Sequence, residues 1–155
     1  MELDFWQLVI AFFGEAIWFS YGTLGLLGIK LPLGDYVKIA LVYTLTLWVL
    51  RNQFGLYGIH ILIIILVLAV AIKVVGKIEF KVCLVASLLG FIIMALTESI
   101  ILIICEGYLN LSLEHMLAGE LFYIMVIVTK TPLFIICAGI YFNDWRLIDL
   151  SGEYL

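Results

Sequence analysis

Charged residues are scarce in this sequence. Of its 155 residues, only 13% are Asp, Glu, Lys or Arg, whereas 66% are hydrophobic. The mean hydropathy is +1.25. Soluble domains carry about 25% charged and about 45–50% apolar residues, so the composition excludes a soluble globular domain. A disordered chain needs low hydrophobicity and high charge, so it is excluded as well. The chain is therefore predicted to be an integral membrane protein.

The residues that carry catalysis, metal binding and nucleic-acid binding are also few. The sequence has eight basic and twelve acidic residues, for a net charge of −4, so there is no basic surface for a nucleic acid. The two histidines and three cysteines are isolated, which does not fit a metal or haem site. The sequence contains no HExxH, GxSxG or phosphate-loop pattern. We therefore expect no catalytic residue, no metal and no cofactor, and hence no enzyme.

Long apolar runs dominate what is present. Because a membrane-crossing helix needs about 20 apolar residues, the chain has room for about five or six spans in one domain, residues 1–155. The runs are continuously apolar, whereas strands of a membrane barrel alternate, so helices are favoured. The predicted fold is all-α, a polytopic bundle of five transmembrane helices. The spans are about 5–29, 36–50, 56–75, 80–105 and 121–142.

The distribution of basic residues predicts the orientation of these spans. Most of them flank the first and third connections or follow the last span; they are Lys30, Lys38, Lys73, Lys77, Lys81 and Arg146. The second connection holds only Arg51. Because positive loops stay in the cytoplasm, the N-terminus is predicted outside and the C-terminus inside. The predicted location is the cell (inner) membrane.

Three charged residues lie well inside the spans, away from their ends: Glu15, Glu98 and Lys130. At about 1.5 Å per helical residue, all three lie roughly 12–15 Å from the outer surface. Charged residues in membranes face the protein interior and pair or line a pathway. We therefore expect one ion cluster in the outer half. It could fix helix packing, bind a polar or cationic ligand group, or couple transport to a proton or ion.

Neighbouring residues extend this expected cluster. Thr97 and Thr129 adjoin Glu98 and Lys130, and Trp18 is a candidate wall of a pocket about one turn below Glu15. The segment 106–120 is the longest predicted external connection, with Ser112 as a possible helix cap. This segment is either an ordinary connection or an outer lid over a ligand pocket.

Small residues recur in the first span. Gly22, Gly25 and Gly28 follow one another at intervals of three residues. Glycines at such spacing let helices approach closely. They favour tight packing inside the bundle, with a dimer face as the alternative.

The layout resembles a known family. A Gly-rich first helix ends in GLLGIKLPLGDYVKIALVY, and a later stretch reads GLYGIHILIIILVLAVAIKVVGKIEFKVCLVASLLGFIIMALTESIILI. An outer stretch, LNLSLEHMLAGE, precedes the last helix. From about Gln7 to Phe142 this resembles the membrane sensor region of GHKL-type histidine kinases of Gram-positive bacteria, including the accessory-gene-regulator type. Because no phospho-acceptor helix or ATP-binding domain follows Trp145, the resemblance implies a sensor-like module without kinase activity.

The first functional hypothesis is a non-enzymatic membrane sensor or ligand-binding module that acts through a partner protein. Its expected partners are the lipid bilayer, a small ligand or peptide from the outer side, and a second copy or a membrane or cytoplasmic signalling protein. Its polar centre would be Glu15, Glu98 and Lys130. The alternative is a transporter, or transporter subunit, for a small solute or coupled ion, since such sites lie near the midplane. A structural subunit of a membrane complex is the second alternative.

Overall fold

A computed structural model describes residues 12–52, 60–109 and 119–150. The described residues form five helices. They are α1 (Gly14–Leu26), α2 (Leu33–Asn52), α3 (His60–Gly76), α4 (Phe80–Leu109) and α5 (Gly119–Asn143). The early part of the first predicted span and the predicted cap Ser112 lie outside the described residues.

Helices α2 and α4 extend past the ends of the corresponding apolar runs, whereas α1 ends at Leu26, before its run ends at 29. α2 begins at Leu33 rather than 36, because the carbonyl of Pro32 already accepts the Asp35 N–H at 2.9 Å. α4 continues beyond 105 through Glu106 to Leu109. Backbone hydrogen bonding continues through polar residues at the helix ends, so hydropathy alone does not show where a helix begins or ends.

Helix α1 is the centre of the bundle. It packs against α2, α4 and α5, while α3 packs against α2 and α4, and α4 contacts α5. The α1 side chains Ser20 and Thr23 are fully buried. Their hydroxyls donate to the carbonyls of Ala16 at 2.8 Å and Phe19 at 2.9 Å. Both polar groups are thus satisfied within the helix, and α1 can lie inside an apolar core.

Glycines bring α1 close to its neighbours. A Cβ at Gly25 would lie 2.8 Å from the Ile140 side chain of α5, and one at Gly22 would lie 3.2 Å from Cys137 Sγ. On α4, a Cβ at Gly90 would overlap the Phe19 ring. Gly22 and Gly25 therefore serve packing inside the chain. Gly28 instead adopts φ +78° just beyond the end of α1, a conformation that favours glycine.

Two of the described helices are long and apolar enough to cross a membrane. These segments are Leu33–Leu50 and Phe80–Gly107, and Ile61–Gly76 and Ile127–Asn143 are shorter apolar helical segments. Only 11% of the 18-residue apolar window within Phe80–Gly107 is buried inside the protein. In water such an apolar surface would be unfavourable, whereas lipid solvates it. By length and composition, this supports association with a membrane.

Residues 144–150, here called the strap, fold back onto the end of α1. The amides of Leu147 and Ile148 donate to the Leu26 carbonyl at 2.7 and 3.2 Å, and that of Leu150 donates to Leu27 at 3.0 Å. Ion pairs accompany these bonds. Lys30 contacts Asp144 at 2.7 Å, and Arg146 pairs with Asp144 and Asp149. The strap therefore joins the end of α5 to the end of α1.

The first and third connections and the strap lie at one end of the bundle. The Lys30–Asp144 pair joins the first connection to the strap. The connection from α3 to α4 is close by, since a Cβ at Gly76 would lie 3.2 Å from the Leu31 side chain. The basic residues of these segments therefore gather at the same end.

Candidate functional site

Lys130 lies between two carboxylates from different helices. Its Nζ is 3.1 Å from Glu15 Oε2 on α1 and 2.9 Å from Glu98 Oε1 on α4. Lys130 itself belongs to α5. The structure thus brings together the three ionisable residues that the sequence places within spans. These three residues are called the ion triad below.

The members of the ion triad differ in exposure. The side chain of Glu15 is 4% exposed and that of Lys130 is 13%, whereas that of Glu98 is 46%. An unpaired charge at the Glu15 position would be costly, so Lys130 is required there as a counter-ion. Glu98 is the member that other molecules can reach.

The ion triad lines one part of a cavity of about 350 Å³ between α1, α2, α3 and α4. The rest of the lining is mainly aromatic and aliphatic. Within the described part of the chain it consists of Phe12, Tyr43, Leu47, Ile61, Ile64, Ile65, Leu88, Phe91, Ile92, Met94 and Ala95. A mainly apolar cavity with a few convergent polar groups is the usual form of a small-molecule site.

The two threonines predicted to extend the cluster hydrogen-bond their own helices. Thr97 Oγ1 donates to the Ile93 carbonyl at 2.8 Å, and Thr129 Oγ1 donates to the Met125 carbonyl at 2.9 Å. Neither residue lines the cavity beside the ion triad. Each therefore adjoins the ion triad along its helix without contributing to the cavity wall.

Trp18 lies in a different place from the ion triad. Its ring packs edge-on against Phe134 of α5, with the centroids 5.2 Å apart, and is part of a second, almost wholly apolar groove of about 520 Å³. Tyr21 and Tyr36 line the same groove. Trp18 is not among the residues that line the cavity of the ion triad.

Sequence reasoning missed the aromatic and aliphatic walls of this cavity. Tyr43 and Leu47 come from α2, and Phe91 and Met94 come from α4. Tyr43 carried a weak signal, since it is a phenol inside an apolar run with Leu47 one turn later on the same helix face. The other wall residues cannot be told from core residues by type.

Within residues 12–52, 60–109 and 119–150, no group of three His, Cys, Asp or Glu residues could hold a metal ion. Cys83, Cys105 and Cys137 are buried free thiols, and Cys137 Sγ donates to the Trp18 carbonyl at 3.3 Å. The two carboxylates and one ammonium group of the ion triad offer electrostatic recognition and hydrogen bonding.

Comparison with protein-family models, curated proteins and solved structures gives no match to this chain. The functional argument is therefore made from the site itself.

Proposed function

We propose that this chain is a multi-pass membrane module that binds a small ligand in the cavity of the ion triad and signals through a partner protein. The observation that carries the proposal is the position of the ion triad in the wall of an otherwise apolar cavity. A triad serving packing alone would not need a cavity beside it. The sensor-like layout of the sequence supports the same reading.

The proposed topology has five spans, with the N-terminus outside and the C-terminus inside the cell. It is supported by the gathering of Lys30, Lys77 and Arg146 at one end of the bundle, because basic loops stay in the cytoplasm. Four helices separate Lys30 from Asp144, and an even number of crossings returns the chain to the same side.

A ligand in this cavity would act on the contacts between helices. Lys130 links α5 to both α1 and α4 through its two carboxylate partners. A ligand group that competes for Glu98 weakens the link between α4 and α5 while leaving Lys130 paired with Glu15. Such a change in helix packing is what a partner protein can read.

Filling the cavity tests this proposal. Ala95→Phe would occupy the cavity, whereas Leu96→Phe, one residue along α4, changes an exposed side chain that does not line it. We expect thermal unfolding in nanodiscs to identify compounds that stabilise the wild type and Leu96→Phe but not Ala95→Phe. A site at this cavity would be contradicted if the compounds failed to stabilise both variants. It would also be contradicted if they stabilised both variants as they stabilise the wild type.

Ion-coupled transport is the second candidate. It is favoured by the unequal exposure of Glu15 and Glu98 on either side of Lys130, since such an arrangement can pass a proton or cation between a reachable and an enclosed carboxylate. Transport predicts proteoliposome uptake that is lost in both Glu15→Gln and Glu98→Gln. A sensor predicts binding without net uptake.

A further inference from the structure

Glu98 has one carboxylate oxygen that the described part of the chain leaves available. Its Oε1 accepts the Lys130 hydrogen bond at 2.9 Å, while its Oε2 has no donor among the described residues. The side chain is 46% exposed and lines the cavity. A carboxylate oxygen in this position accepts a hydrogen bond from a molecule that enters the cavity.

The charged side chains around the cavity favour a positively charged ligand. Among the residues that the structure describes, the charged members of the lining are Glu15, Glu98 and Lys130, which are two carboxylates and one ammonium group. Lys130 is engaged by both acids. An anion would have to displace a carboxylate from Lys130, whereas a cation adds to the excess negative charge. Charge complementarity therefore selects cations over anions.

The uncharged side chains that line the cavity indicate the chemistry of the rest of such a ligand. The rings of Tyr43 and Phe91 line the cavity, and ring faces attract ammonium groups within about 6 Å. Leu47, Ile64 and Leu88 line it with aliphatic side chains, which accept an apolar body. The volume of about 350 Å³ is near the lower limit of about 300–1,000 Å³ for small-molecule sites, so a whole peptide does not fit.

We propose that the cavity binds a small organic cation, an amine with a compact apolar body. Its ammonium group donates to Glu98 Oε2, and its apolar body lies between α2, α3 and α4. This inference rests on the proposed function and names the class of ligand for the same site.

The test compares three probes with one apolar body and different charge: 3-phenylpropylammonium, 3-phenylpropanol and 3-phenylpropanoate. The full chain in nanodiscs is titrated with each, and saturable binding is measured by calorimetry against empty nanodiscs. We expect the ammonium probe to bind the wild type at least about tenfold more tightly than the other two, as for a hydrogen bond to a charged group. Glu98→Gln should remove this preference and retain the affinity for the alcohol.

Glu79→Gln is the matched control, since it neutralises an acid near the start of α4 that does not line the cavity. It should bind all three probes as the wild type does. Preference for the carboxylate, or an unchanged ammonium preference in Glu98→Gln, would overturn the inference. If only the alcohol binds and Ala95→Phe abolishes that binding, the proposed site stands and the cationic ligand is wrong. If no probe binds and cavity filling changes nothing, both proposals fail.

Discussion

Thr44 places a hydroxyl group in the core of the bundle. Its side chain is buried on α2, and Oγ1 has no partner among the described residues. A buried unsatisfied group costs about 1–3 kcal/mol, and valine has nearly the same shape without the hydroxyl. We expect Thr44→Val to raise the free energy of unfolding by about 1 kcal/mol. Detergent-denaturation curves check this, and a destabilised variant would indicate a hydrogen bond that the structure does not show.

Removing Lys130 should be the most damaging change in the ion triad. Lys130→Met leaves Glu15 buried beside an apolar side chain, and such a loss costs about 3–5 kcal/mol. Glu98→Gln should cost less, because Glu98 is half exposed and Lys130 keeps its bond to Glu15.

The matched control for this comparison is Lys81→Met, which removes an exposed lysine 4.0 Å from Glu79. It should change stability by less than about 1 kcal/mol, as for surface pairs. Thermal unfolding of the three variants gives the order. Equal losses in Lys130→Met and Lys81→Met would show that the ion triad does not support the bundle.

For individual residues, the sequence indicates the charged members of the site but not the residues that form the cavity walls. Helical rise alone places Glu15, Glu98 and Lys130 at one depth, because few charges occur in apolar runs and each must be compensated. It does not indicate which acid is enclosed, since exposure depends on how α4 and α5 pack. Leu47 and Met94 look like ordinary core residues.

Among the helices, close approach at glycine makes α1 sensitive to small additions. Gly90→Ala would place a methyl group into the Phe19 ring, and Gly25→Ala would place one 2.8 Å from Ile140. Overpacking of this kind costs about 1–3 kcal/mol. We expect both variants to unfold at lower temperature than the wild type.

Gly34→Ala is the control for these variants, since nothing lies within 4 Å of its added Cβ. In the first turn of α2 it should be neutral or stabilising by up to about 1 kcal/mol, because alanine is the better helix former. If Gly34→Ala destabilised the chain as much as Gly90→Ala, the effect would not come from helix packing.

The strap should loosen in acid. Hydrogen bonds from Lys30 and Arg146 hold the pKa of Asp144 below its ordinary value of 3.8. A lowered carboxyl pKa contributes stability above the ordinary value, and this contribution is lost as the pH falls through the folded-state pKa. We expect the hydrogen-exchange protection of the Leu147 and Leu150 amides to be constant from about pH 7 to about pH 5 and to fall below about pH 3.8.

Asp144→Asn should show weaker protection at neutral pH and no further loss in acid. Protection factors corrected for intrinsic exchange make the comparison. An acid response that persists in Asp144→Asn would assign the loosening to another group.

Hydropathy predicts the number and order of the helices but not the strap. Apolar runs locate α2 to α5 because lipid and core both demand apolar side chains over a helical length. The strap is held by backbone bonds to Leu26 and Leu27 and by Lys30, and no local pattern in residues 144–150 indicates partners so far along the chain.

For the whole molecule, the proposed topology places the two ends of α4 on opposite sides of the membrane. Glu79→Cys lies by the first turn and Glu106→Cys by the last, and the native Cys83, Cys105 and Cys137 are buried. An impermeant maleimide should label Glu106→Cys in intact cells and Glu79→Cys only after permeabilisation. The unsubstituted chain measures background labelling. Labelling of both introduced cysteines from the same side would exclude a membrane-crossing α4. Labelling of Glu79→Cys in intact cells and of Glu106→Cys only after permeabilisation would show the opposite orientation.

The position of the strap gives the cavity one stiff side and one compliant side. Helices α1 and α5 are fastened twice, by Lys130 to Glu15 at one level and by the strap at the end of α1. Across the cavity, α2 and α3 contribute Tyr43, Leu47 and isoleucines, and the described side chains of these two helices form no ion pair with the ion triad. We expect a change in cavity size to move α2 and α3 more than α1 and α5, because α1 and α5 are held together by the Lys130–Glu15 ion pair and by the strap.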